Sequence, residues 1–290
     1  METQTFTTDD DVRIAWYSFG DPKAPTMVLS NGLGGNTDVW RLFIDYFKDR
    51  WRLVSWDYRG LYNSGPAHDD EGYAIERHVA DLDQLLEVAE VADPVLIGWS
   101  MGVQVNFEAC RDRPDRARAL IAINGTSGRP FSTVLGTRLL EHGIPPIIQT
   151  VKAHWDKVSF LGPMALEIPG FLTALQTLGL AGTTLDREIF YQVARSFVRL
   201  DMGIYMEIME RLGAHDATDV LPSLTLPTLV IAGQKDVMTP RVVSERMVEQ
   251  LPNAELCVVP AATHYCPIEF PELVHLRIEK FLRDHLKEGK

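Results

Sequence analysis

The residues best able to do chemistry lie in Pro94-Val-Leu-Ile-Gly-Trp-Ser-Met-Gly102. Three strand-forming residues, Val95, Leu96 and Ile97, lead into Gly98-Trp99-Ser100-Met101-Gly102, and a helix-like run opens at once with Val103, Val105 and Phe107. Strand, sharp turn and helix in that order can hold a serine up as a nucleophile. Glycines two residues either side of the serine carry no Cβ, so strand and helix can approach closely. The following helix points its positive end at the site and favours developing negative charge. The pentapeptide alone is a weak signal, so its partners must decide.

A serine hydroxyl is a poor nucleophile until a base takes its proton and a carboxylate steadies that base. Asp236, in Gly233-Gln-Lys-Asp236, and His264, in Ala262-Thr-His264, supply both in the order serine, acid, histidine. Of the eight histidines, only His264 follows a late strand-like run. Ser100, Asp236 and His264 each fall just beyond the carboxyl end of a predicted strand, where ligands of open α/β sheets bind. A further strand-like run, Thr26–Ser30, ends in Asn31-Gly32-Leu33-Gly34-Gly35. That loop has neither Gly-x-Gly-x-x-Gly nor a Walker lysine, which argues against a nucleotide cradle. Its other use is to offer backbone N–H groups to an oxyanion, and Leu33 is the expected donor.

The elements that must position these residues are legible in the hydrophobic pattern. Strand-like runs occur at Arg13–Phe19, Thr26–Ser30, Trp51–Trp56, Arg118–Ile123, Pro227–Ala232 and Glu255–Val259, besides the run before Ser100. Amphipathic helices are predicted over 38–47, 74–91, the residues after Gly102, 240–251 and from Pro271 onward. Between about Pro130 and Leu221 only helical patterns occur. The clearest starts at Thr183-Thr-Leu-Asp186, resembling a capping box, and continues through Ile189, Val193, Phe197, Leu200, Ile204 and Ile208. The expected fold class is α/β, a mostly parallel sheet flanked by helices and interrupted by a helical insertion. The expected division is 1–128 as the first part of the core, 129–222 as a helical cap and 223–290 as the second part of the core.

A chain of 290 residues is long enough to bury a substantial core, and its 46% hydrophobic composition is that of a globular protein. A net charge of −12 would reverse the attraction that drives binding to nucleic acid or an anionic membrane, so neither is an expected partner. Cys110, Cys257 and Cys266 are far apart without a Cys-x-x-Cys, and read as reduced thiols rather than a metal site. The N-terminus is polar and acidic, unlike a secretory signal, and no apolar run reaches membrane-spanning length. A soluble, cytoplasmic protein is expected, as a monomer or homodimer acting on a small molecule.

Taken together, Asn31-Gly32, Asp57-Tyr-Arg-Gly-Leu-Tyr-Asn-Ser64, Gly98-Trp-Ser-Met-Gly102, Gly233-x-x-Asp236 and His264 resemble the motifs of the α/β-hydrolase superfamily, in order and over nearly the whole chain. The esterase, lactonase and haloperoxidase-like members with a cap are most similar. The resemblance implies an eight-stranded sheet with a helical cap inserted after the sixth strand. It also implies Ser100 as nucleophile, Asp236 as acid, His264 as base, and an oxyanion hole formed by the N–H groups of Leu33 and Met101. No metal or organic cofactor is implied. The aspartate-nucleophile dehalogenases and epoxide hydrolases are disfavoured by Ser100. Carbon–carbon bond hydrolases, cofactor-free perhydrolases and hydrolase-like receptors share the triad and stay open. Two positions depart from the family pattern: Asn31 stands where a histidine is usual, and Tyr62 where a glycine is usual. The first should alter only the support of the loop, whereas the second puts the conformation of the Asp57 segment in question.

The remaining polar residues have structural alternatives. Asp236 could cap the helix near Pro240, and His264 could be a satisfied loop histidine. Asp57 and Arg59 are expected to form a structural ion pair, and Glu269 to brace the His264 loop. His154 is expected at the surface, and Cys266 is excluded as nucleophile because it is outside the elbow. Trp99 and Met101 should shape the pocket floor, with Gly32, Gly34 and Trp99 touching substrate. The insertion should cover Ser100, with Ile147, Ile148, Phe160, Met164, Phe171, Leu175, Leu178 and Leu180 either lining an apolar pocket or packing the cap onto the core.

Overall fold

The computed structural model describes residues 2–132, 143, 146, 148–150, 166 and 168–286. Eight strands form one sheet: β1 (Gln4–Thr7), β2 (Arg13–Phe19), β3 (Thr26–Ser30), β4 (Arg52–Trp56), β5 (Val95–Trp99), β6 (Ala119–Ile123), β7 (Thr228–Gly233) and β8 (Ala254–Val259). Their spatial order is β1-β2-β4-β3-β5-β6-β7-β8. β2 runs antiparallel to both β1 and β4, and every other neighbouring pair is parallel. The described helices are α1 (Arg41–Phe47), α2 (Ile75–Val88), α3 (Met101–Ala109), α4 (Phe171–Thr177), α5 (Arg187–Phe197), α6 (Met202–Ala214), α7 (Arg241–Gln250), α8 (Cys266–Glu269) and α9 (Pro271–His285).

The central strands β3, β5, β6 and β7 read as nearly continuous apolar runs because both faces of the sheet are covered there. Successive side chains alternate between two cores. Val28, Val54, Leu96, Leu120 and Val230 pack with Leu82, Leu85, Val103, Phe107 and Met247. Met27, Leu29, Leu53, Val95, Ile97, Ile121, Leu229 and Ile231 pack with Phe43, Phe47, Val274, Ile278 and Phe281 on the other side. From β3 the chain moves to β4 on one side, then crosses back to place β5 on the other. The loops leaving β3 and β5 therefore diverge from adjacent carboxyl ends and open a crevice between them. One carries Leu33 and the other Ser100.

Three local expectations need correction. β1 carries no strand signal in the sequence, because Gln4-Thr-Phe-Thr7 is a short edge strand that buries only Phe6. The periodic run from Ile189 to Ile208 is two helices, interrupted at Val198–Asp201. Asp201 accepts hydrogen bonds from the N–H groups of Gly203 (2.8 Å) and Ile204 (3.2 Å), which starts α6 afresh. The first of these helices is capped by Asp186, whose carboxylate accepts from the Ile189 N–H at 2.9 Å, and not by Thr183.

Candidate active site

Ser100 is held at φ 55° and ψ −117°, in a left-handed region that an ordinary side chain avoids. Its N–H donates to the Ile123 carbonyl at 3.0 Å, tying the turn to β6. The flanking glycines permit the turn for a steric reason. A Cβ on Gly98 would lie 2.5 Å from the Gly102 carbonyl carbon, and a Cβ on Gly102 would collide with the Ser30 carbonyl. The strain at Ser100 is thereby fixed by backbone packed on both sides, which raises the hydroxyl above the sheet edge.

The Ser100 hydroxyl donates to His264 Nε2 at 2.9 Å, and His264 Nδ1–H donates to Asp236 Oδ2 at 2.8 Å. With the Nδ1 proton directed at a carboxylate, Nε2 is the ring atom free to accept the serine proton. Asp236 reaches this position from the loop after β7 and His264 from the loop after β8. Asp236 does not cap α7, whose N-cap position is Pro240 with no side-chain cap, but it orders the loop that leads there. Its Oδ1 accepts from the N–H groups of Met238 (2.8 Å) and Thr239 (2.9 Å), just before α7, while Oδ2 faces the histidine. One residue holds the loop and faces the histidine because its two oxygens point in different directions. Burial alone would raise the Asp236 carboxyl, but the His264 ring, with the Thr239 N–H and hydroxyl, outweighs it and holds the group below the usual carboxylate range.

Sequence reasoning missed Asn124. Its side-chain N–H group donates to Asp236 Oδ2 at 2.6 Å and to the Thr263 carbonyl at 2.9 Å, joining Asp236 to the residue before His264. The available signal was its place immediately after β6, beside the strand that carries Ser100. Glu269 braces the same loop. It accepts from the Thr263 N–H (2.7 Å), the Thr263 hydroxyl (2.5 Å) and the Gly182 N–H (2.6 Å) in the segment between α4 and α5. Burial raises the Cys266 thiol well above its usual range, so it is a poor source of thiolate.

The loop after β3 packs directly on the elbow. A Cβ on Gly32 would lie 2.8 Å from the Trp99 ring and 3.1 Å from Ser100 Cβ. Asn31 supports the loop through its side chain, donating to the Trp56 carbonyl and accepting from Trp40 Nε1, both at 2.7 Å. The Tyr58 hydroxyl donates to the Asn31 carbonyl at 2.7 Å. Tyr62 takes φ 51°, a left-handed conformation that glycine adopts most easily. Its hydroxyl donates to the Gly34 carbonyl, next to Leu33. The expected Asp57–Arg59 ion pair does not form. Arg59 pairs with Asp81 and Asp10, while Asp57 accepts from the Tyr17 hydroxyl (2.7 Å) and the Asn63 N–H (3.1 Å). Burial without a cation pushes the Asp57 carboxyl up to about 6.

Above Ser100 lies a cavity of about 440 Å³. Gly32, Leu33, Gly34, Trp99, Ser100 and His264 form its core-side wall, and Phe171, Leu175, Phe190, Phe197, Met209 and Leu212 line it from the inserted helices. Met101 is buried beneath it and is not among the lining residues. Trp99 is fixed by a bond from its Nε1 to the His264 carbonyl at 2.9 Å. Of the apolar residues expected over the site, Phe171 and Leu175 reach the cavity, whereas Leu178 and Leu180 are exposed. Ile148 is buried elsewhere, and Ile147, Phe160, Met164 and His154 lie outside the described residues.

Strand order, elbow and crevice fit one family, and a family model described as the alpha/beta hydrolase fold matches residues 25–271. The chain belongs to the α/β-hydrolase family. A relative in Stutzerimonas stutzeri, named "Putative carbamate hydrolase RutD", is 27% identical over 92% of this chain and 94% of its own length. The 3-oxoadipate enol-lactonase 2 of Acinetobacter baylyi is 25% identical over 95% of each chain. A hydrolase from Pseudomonas aeruginosa has the same fold, with a TM-score of 0.80 at 21% identity over 97% of this α/β hydrolase and 98% of that chain. Among the described residues no helix is long and apolar enough to cross a membrane.

Proposed function

We propose that this α/β hydrolase cleaves a carboxylic ester, lactone or thioester of a small, largely apolar substrate through an acyl-enzyme on Ser100. The single observation that carries this is the chain of hydrogen bonds from Ser100 through His264 to Asp236, 2.9 Å and 2.8 Å long, at the wall of the cavity. Ser100 Oγ attacks the carbonyl while His264 Nε2 takes its proton. The Leu33 and Met101 N–H groups face the developing oxyanion, the second at the positive end of α3. The imidazolium, steadied by Asp236, then protonates the leaving alcohol or thiol. Water activated by the same imidazole cleaves the acyl-enzyme, and the proton returns to Ser100. No cofactor enters these steps. The enol-lactonase among the relatives supports this bond class.

Fluorophosphonate labelling combined with turnover of p-nitrophenyl esters tests the proposal. Labelling at Ser100 with many turnovers per chain is expected. A single slow turnover with a lasting adduct would instead make the chain a receptor. Phe171, Leu175, Phe190 and Phe197 should favour longer acyl chains until the cavity is full. Each added methylene is then worth about 0.8 kcal/mol, or about fourfold in kcat/KM. Equal rates for acetate and octanoate esters would defeat the apolar-pocket assignment.

Tyr62 gives a finer test of the oxyanion loop. Tyr62→Phe removes the bond to the Gly34 carbonyl while keeping the ring. Loosening the neighbouring Leu33 N–H should lower kcat about fivefold, the worth of about 1 kcal/mol, with KM unchanged. Steady-state kinetics on one ester measure this, and a rise in KM at constant kcat would place Tyr62 in substrate binding instead.

A further inference from the structure

The cavity above Ser100 is lined by two tyrosines, Tyr205 and Tyr265, whose hydroxyls have no hydrogen-bond partner among the described residues. Tyrosines packed elsewhere in the interior are paired. Tyr17 donates to Asp57, Tyr58 to the Asn31 carbonyl and Tyr62 to the Gly34 carbonyl, and the Tyr73 hydroxyl accepts from the Ala67 N–H. A hydroxyl kept from water without a partner costs free energy, so the two exceptions need a reason. Tyr205 reaches the cavity from α6, and Tyr265 follows His264 in the chain. The Tyr205 ring stands edge-on to Phe197, with centroids 5.0 Å apart, and its Cε2 would lie 3.0 Å from a Cβ on Gly34. It therefore lies against the loop that carries Leu33. The Tyr265 ring stands edge-on to Phe190 at 5.9 Å. Neither oxygen is among the unpartnered polar atoms sealed inside the described core, so each has open space before it. Burial raises both hydroxyls above the usual tyrosine range, and Tyr265 raises Tyr205 further. Both stay neutral and keep a proton to donate.

We propose that the substrate is uncharged and carries, besides the carbonyl that Ser100 attacks, a second acceptor oxygen of a ketone or ether, held by the Tyr205 and Tyr265 hydroxyls. This rests on the acyl-transfer reading of the same site. A few placed polar groups in an otherwise apolar wall are what fix the orientation of a ligand in such a cavity. An oxygen at the right place on the chain gives these hydroxyls the acceptor that no side chain supplies. An all-methylene chain in the same place leaves them dry and unpaired, and a site built to hydrogen-bond discriminates against the analogue that cannot. The charge state follows from the same wall. Among the described residues no lysine, arginine, aspartate or glutamate lines the cavity. A carboxylate on the substrate would shed its hydration there without meeting a cation. Tyr205 belongs to the inserted helices and Tyr265 to the loop that carries the imidazole, so a ligand that touches both is held between the two layers while its scissile carbonyl faces Ser100.

The test is a binding series on full-length Ser100→Ala protein, followed by calorimetry and by tryptophan fluorescence, since Trp99 lies in the cavity wall. The ligands are methyl octanoate, methyl octanoates with a ketone at successive carbons, and the monomethyl ester of suberic acid. At one ketone position binding should be about tenfold tighter than methyl octanoate, and the suberate monoester should bind more weakly than methyl octanoate. Repeated with Tyr205→Phe or Tyr265→Phe added, the ketone preference should vanish in at least one of the two. No preference at any ketone position, a preference that survives both replacements, or binding of the suberate as tight as that of methyl octanoate overturns the proposal. Because Ser100→Ala binds without reacting, these affinities stand apart from turnover. Failure of the p-nitrophenyl ester assay removes the hydrolase reading, whereas failure of this series removes the two-tyrosine subsite alone.

Discussion

Ser100→Ala should lower kcat for ester cleavage by about a millionfold while leaving the fold intact. The hydroxyl is the only group at the elbow placed to attack, and its partner His264 Nε2 lies 2.9 Å away with the tautomer already set by Asp236. Removing it deprives both proton-transfer partners of their purpose at once, which is why members of such a unit are grossly non-additive. What survives is the oxyanion hole and substrate binding, worth about a thousandfold over water. Active-site titration with a fluorophosphonate gives the independent readout, since Ser100→Ala should take no label. A variant that kept a tenth of wild-type turnover would remove Ser100 from the chemistry altogether. Thermal unfolding should be near that of wild type or slightly higher, because the replacement removes only a hydroxyl at a strained position.

Gly102→Ala should have the largest effect on folding. The added methyl would point into the Ser30 carbonyl at the end of β3, and backbone cannot swing aside as a side chain can. β3 is held between β4 and β5, and Ser30 is further tied by its hydroxyl to Asn106 Oδ1 at 2.6 Å. Relief therefore requires α3 to move away from the sheet, carrying the elbow with it. Overpacking of this kind costs about 3 kcal/mol, a large part of the stability of a typical domain. A Tm lower by about 6–12 °C is expected by calorimetry, with ester turnover falling in parallel because Ser100 moves with the helix. An unchanged Tm would show that α3 can shift freely and that close approach is not what the glycine provides.

The three residues of the hydrogen-bonded chain were legible because their signals are local. Ser100 sits in a five-residue pattern, Asp236 follows the fully buried β7, and His264 follows β8, which is apolar after Glu255. Buried parallel strands announce themselves in this way, and the sheet followed from them. β1 escaped because an edge strand need bury only one side chain. Asn124 escaped because its contacts with Asp236 and Thr263 join residues far apart in sequence. The Asp57–Arg59 pairing failed for a related reason. Two charges of opposite sign near each other in sequence invite the simplest partnership, yet Arg59 is oriented toward Asp81 on α2 and Asp10. The division of the long periodic run into α5 and α6 was written in Asp201, whose capping geometry outweighs an uninterrupted apolar stripe.

Glu269 ties together two segments that lie far apart in sequence. One carboxylate grips the Gly182 amide, between α4 and α5, and the Thr263 amide and hydroxyl, one residue before the imidazole. Any displacement of the Gly182 segment must either break this grip or drag the imidazole's own backbone along. The imidazole and the segment between α4 and α5 are therefore mechanically coupled, and a strain introduced at Gly182 is felt one residue from His264.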